Sequence, residues 1–128
     1  KILVEVSVGE LLDKISILEI KKEKIKDPEK LKFINNEYNV LKAQLNQNIK
    51  SDNKLDVLFK SLKEINSKLW VIEDDKRLCE KNSDFTEKFI KLSRDVHFLN
   101  DDRAKIKLEM NEHTGSTIKE IKEYTKYN

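Results

Sequence analysis

From Leu55 the residues Leu55, Leu58, Leu62, Ile65, Leu69, Ile72, Lys76 and Cys79 follow one another in alternating steps of 3 and 4, and only Lys76 breaks the apolar seam. That period puts all of them on one stripe of an α-helix, whereas a half-buried strand would alternate. After Asn82-Ser83-Asp84 a second seam of the same period runs Phe85, Phe89, Leu92, Val96, Leu99, Arg103, Ile106, Met110 and His113. Here Arg103 and His113 are the polar intruders. Two such stripes joined by a short polar turn predict an antiparallel αα-hairpin with arms at about 53–81 and 84–113. Each arm would be roughly 40 Å long at about 1.5 Å per residue. A globule of this size is only about 36 Å across, so the hairpin should protrude or be covered by other helices.

Those helices are signalled upstream. Ser7-Val8-Gly9-Glu10 matches the S-x-x-E capping box, and Val8, Leu11, Leu12, Ile15, Leu18 and Ile25 recur at helical spacing. A first helix over about 8–26 is expected. Asp27-Pro28 suits the start of the next one, and Leu31, Ile34, Tyr38, Leu41 and Leu45 carry it to the Asn-rich stretch, giving a helix over about 28–49. The β-branched opening Ile2-Leu3-Val4 with Val6 reads as a short strand. Thr114-Gly115 reads as a helix C-cap, and Ser116 to Tyr124 fits a last strand, which could pair with residues 2–6, or a short frayed helix. The fold expected is therefore mainly α, an elongated helical bundle around the hairpin, in one domain spanning residues 1–128.

Charged residues at 39% with two Gly and one Pro fit long solvent-washed helices. The 26 basic and 24 acidic residues nearly cancel to +2, which implies neither a nucleic-acid nor an anionic-lipid partner. A single cysteine, Cys79, and the lack of any apolar run of about 18 residues point to a cytoplasmic protein without a membrane span. Cys79 falls in the seam, where a buried thiol serves packing better than nucleophilic chemistry. His97 and His113 are roughly 24 Å apart along one expected helix, so they share no metal ion. Acidic pairs such as Glu10 with Asp13 and Glu109 with Glu112 are no more frequent than chance gives in so acidic a chain. No phosphate-binding glycine loop and no nucleophile elbow is present, so the common nucleotide-binding and hydrolase classes lose ground, no metal or cofactor is expected, and no catalytic residue is singled out.

Two clusters stand out. Trp70, Glu73, Asp74, Arg77 and Glu80 crowd one stretch, with Glu73 to Arg77 and Asp74 to Arg77 at ion-pair spacing. Asn100, Arg103, Lys107 and Asn111 step by 3 and 4 down the fourth helix as a polar, basic stripe beside the seam. A guanidinium in a seam is costly to bury without a carboxylate or phosphate beside it. Either Glu10 or Asp13 answers Arg103 within the chain, making the stripe structural glue, or the stripe grips an anionic ligand.

Ser7-Val-Gly-Glu-Leu-Leu-Asp-Lys-Ile-Ser-Ile-Leu-Glu-Ile-Lys21, Leu69-Trp-Val-Ile-Glu-Asp74, Phe89-Ile90, Asn100-Asp-Asp-Arg-Ala104, Lys107, Asn111 and Gly115-Ser116 resemble a family of small bacterial proteins of unknown function. The resemblance spans nearly the whole chain. This sequence has Lys76 and His97 where the family pattern has an apolar and an aromatic residue. No activity, substrate or catalytic residue comes with the family. It does draw attention to Glu10, Asp13, Lys14, Glu73, Asp74, Asn100, Asp101, Arg103, Lys107 and Asn111, more polar motif positions than packing requires.

Two functions remain in play. The first is a non-enzymatic interaction or scaffold module that self-associates or docks a protein partner, since Val71, Ile90 and Phe98 widen the apolar face beyond the seams. The second is a small-molecule binder or enzyme, in which Arg103, Lys107 and Asn111, with Asn100, Lys14 and Arg77 nearby, hold an anionic group such as phosphate. Glu10, Asp13 or Glu73 would then supply acid or base, with Asp74 a further ligand-binding candidate. Nucleic-acid binding is disfavoured because lysines are interleaved with acids on every helix.

Overall fold

A computed structural model describes residues 1–117, 122–123 and 125–127. It contains α1 (Val8–Lys24), α2 (Pro28–Asn48), α3 (Asn53–Lys81) and α4 (Glu87–Thr114), and no strand among the described residues. The protein is a mainly α-helical bundle. None of these helices is long and apolar enough to cross a membrane.

Local chemistry sets the helix ends. Ser7 caps α1 by accepting a hydrogen bond from the Glu10 amide at 3.1 Å. Only that half of the expected capping box is used for capping, because the Glu10 carboxylate turns to Lys107. Asp27 caps α2 ahead of Pro28, and Asp52 caps α3 through the Leu55 amide at 2.8 Å. Gly115 ends α4 in the left-handed region at φ 70, where its missing Cβ removes the strain. α4 starts three residues later than the expected arm boundary at about 84, because Asp84 accepts from both the amide and the hydroxyl of Thr86 and holds residues 84–86 in a turn. Phe85 therefore lies outside the helix, exposed, with Phe89 edge-on at 5.5 Å.

α3 and α4 form the expected hairpin, and α1 packs against both of them and against α2. Among the described helices, α2 has α1 as its close backbone neighbour. The core lies toward the base of the hairpin, where Leu12 meets Leu55, Leu58, Leu62 and Met110. Leu45, Ile49, Phe59 and Ile106 close around that cluster. Ile15 and Ile20 are also fully buried on α1. Toward the tip Cys79 is buried, whereas Ile72, Leu92 and Val96 stay half-buried, because two helices alone cannot enclose a seam on all sides.

The N-terminal strand is not formed. Residues 1–6 have no regular structure, and Ile2 and Leu3 are 91% and 85% exposed. β-branched composition favours a strand only where a second strand answers its backbone groups, and no described residue does so. The expected partner segment, Ser116 to Tyr124, lies largely outside the described residues.

Candidate functional site

Gly9, Asp13, Ser16 and Ile20 step by 4, 3 and 4 along α1, and all four are buried against the hairpin. The stripe is narrow and polar where α1 meets α4. A Cβ on Gly9 would stand 2.6 Å from the carbonyl oxygen of Lys107, so only glycine allows the helices to approach this closely. The Gly9 amide donates to Asn111 Oδ1 at 2.7 Å, which closes the crossing.

One turn along, Asp13 is the centre of the polar cluster. Its side chain is 2% exposed and that of Arg103 28%. Oδ1 accepts from Arg103 Nε at 2.9 Å and from Asn66 Nδ2 at 2.9 Å, while Oδ2 accepts from Arg103 Nη2. Lys107 Nζ reaches Glu10 at 2.9 Å and lies 3.7 Å from Asp13. Asn66 also donates to Ser16 Oγ at 2.8 Å, and Ser16 in turn donates to the Asp13 carbonyl. Burial pushes the Asp13 carboxyl up, but the hydrogen bonds from Arg103 and Asn66 and the charges of Arg103 and Lys107 outweigh it. The group is held below its ordinary 3.8. Among the described residues no buried side-chain nitrogen or oxygen lacks a partner.

The candidates from the sequence thus divide. Glu10, Asp13, Arg103, Lys107 and Asn111 converge at the α1–α4 crossing, where Arg103 and Lys107 meet the α1 carboxylates of Asp13 and Glu10. Lys14 is exposed and stands 3.9 Å from Glu10 at the edge of the cluster. Glu73, Asp74, Arg77 and Asn100 line an adjoining open groove of about 510 Å³ with Trp70, Leu69, Ile17 and Ile20, and Asn66 and Arg103 of the cluster form part of its wall. The expected ion pairs of Arg77 with Glu73 and Asp74 are not made, although all three exposed side chains line that groove. Asn100 turns to Arg103 at a long 3.4 Å.

Asn66, Ser16 and Gly9 are members of the cluster that the sequence reading passed over. The signal was present: each is a small or polar residue on an otherwise apolar helix face, Asn66 midway between Leu62 and Leu69.

On the opposite side of the hairpin lies an apolar surface. Val71, Ile72, Phe98 and Leu99 line a groove of about 630 Å³ with Ser67, Lys68 and Asp95. Through Phe98 and Asp95 it continues into a second groove of about 600 Å³ that includes Glu87, Ile90, Lys91 and Arg94. The Tyr127 and Phe98 rings meet edge-to-face with centroids 5.5 Å apart, and the Tyr127 hydroxyl donates to Asp101.

The family model for the family of unknown function DUF6165 matches residues 2–127. The chain belongs to this family. No curated protein and no solved structure matches it.

Proposed function

We propose that the protein is a helical interaction module that self-associates through the outer half of its α3–α4 hairpin. The observation that carries this reading is the apolar surface beyond the reach of α1, where Ile90 is 54%, Val71 50% and Phe98 40% exposed. Apolar side chains contiguous across both helices of a hairpin mark a docking face. The polar stripe supports it from the other side, since Arg103, Lys107 and Asn111 meet groups of α1 and serve to fix helix register.

The occupant is a second copy. The rim carries Lys68 toward the inner end of the face and Glu87 at the outer end, with Arg94 and the Lys91–Asp95 ion pair, closed at 2.6 Å, between them. A two-fold axis across the middle of the face sets the Lys68 end of one copy against the Glu87 end of the other, so the charges answer each other as an isologous interface requires. Light scattering coupled to gel filtration tests this. A dimer that Val71→Glu dissociates, and that Lys68→Glu weakens until Glu87→Lys is added, is the expected result. A wild-type monomer up to the highest soluble concentration would overturn it.

A further inference from the structure

We infer that the groove beside Trp70 binds a small zwitterion with an apolar body, of the chemical class of an apolar α-amino acid. The argument begins with spacing on α3. Glu73 and Asp74 follow Trp70 by 3 and 4 residues, and Arg77 follows it by 7, so all four share one helix face. Along about 10 Å of helix axis the order is therefore ring, carboxylates, guanidinium. Ile17 and Ile20 of α1, with Leu69, give the groove its apolar part.

The charges then select the ligand. Arg103 is held against Asp13, so its positive charge is already answered within the wall. Glu73, Asp74 and Arg77 are a different case, because spacing allows them to pair with one another and they do not. A pure anion in this groove would meet two carboxylates, and a pure cation would meet Arg77. A molecule carrying an ammonium and a carboxylate satisfies both, with its apolar body against Trp70, Ile17 and Leu69. Trp70 is the single tryptophan, half-buried in the groove rather than in the core, which also makes it the reporter.

The test titrates the full chain with L-phenylalanine and L-leucine while following Trp70 fluorescence, with calorimetry in parallel. Phenethylamine, 3-phenylpropionate and inorganic phosphate are the comparison probes. A saturable change with the amino acids, weakened about tenfold or more by Arg77→Ala as loss of a charge-assisted hydrogen bond implies, is the expected result. The Glu73→Gln/Asp74→Asn double variant weakens it as well. All the substituted side chains are exposed, so the fold survives. Phenethylamine binding as tightly as phenylalanine, with Arg77→Ala silent, would overturn the proposal by removing the carboxylate contact. Phosphate binding in place of the amino acids, or no saturable signal by either method, would overturn it too. The Val71→Glu variant must bind as wild type does, which keeps this result separate from the fate of the self-association.

Discussion

Replacing Asp13 with asparagine keeps the shape of the side chain and removes its charge, and it is the sharpest probe of what holds α1 on the hairpin. With the amide oxygen at the Oδ1 position, the bonds from Asn66 and Arg103 Nε survive. The amide nitrogen then faces Arg103 Nη2 and Lys107, donor against donor. One charge-assisted hydrogen bond is lost, worth roughly 1.5–3 kcal/mol, and the guanidinium is left without its counter-charge. Breaking a fully buried pair costs about 3–5 kcal/mol. Arg103 retains 28% exposure and Lys107 retains Glu10, which moves the expectation to the low end, about 3 kcal/mol. Urea unfolding followed by circular dichroism measures it, with the dependence on urea unchanged from wild type. In a double-mutant cycle with Arg103→Met, most of the loss should reappear as coupling. A loss under about 1 kcal/mol, or no coupling, would refute the claim that this ion pair sets the α1–hairpin contact.

Stability should also fall in acid for the same reason. Asp13 is held below 3.8 in the folded state, so its contribution is complete above that value and is lost as the pH drops through the lower folded value. Wild type should therefore lose stability below about pH 4 by more than Asp13→Asn does, and equal slopes in acid unfolding curves would contradict this. Gly9→Ala should lower stability by about 1–3 kcal/mol despite the better helix propensity of alanine, because its Cβ would strike the Lys107 carbonyl oxygen. A melting temperature equal to or above wild type would show that α1 can shift freely. Leu62→Ala, at a fully buried site, should cost about 3 kcal/mol, whereas Leu78→Ala on the exposed tip should cost well under about 1 kcal/mol under monomeric conditions. Equal losses in chemical denaturation would argue that the tip is covered.

The helices were legible in the sequence because each signal is local. Ser7, Asp27 with Pro28, and Gly115 act on backbone groups within a few residues of themselves, and the 3 and 4 steps of the seams are properties of one helix at a time. An arginine in a seam needs an anion whatever the fold, so the need at Arg103 was also legible. Its answer was not. Asp13 lies 90 residues away, and choosing it over Glu10 or a ligand depends on where α1 crosses α4. That crossing is set by the absent Cβ of Gly9, a close approach that no spacing reveals. The same holds for Asn66, which reads as an ordinary polar residue until Asp13 and Ser16 are brought to it. The N-terminal segment failed in the opposite sense: Ile2 to Val6 has strand composition, but a strand exists only where a second one answers its backbone, and none of the described residues does. Sequence alone determined which residues are helical and which charges need partners. Only the tertiary structure decided which partners they take, because pairing is a property of how helices cross rather than of how each one is wound.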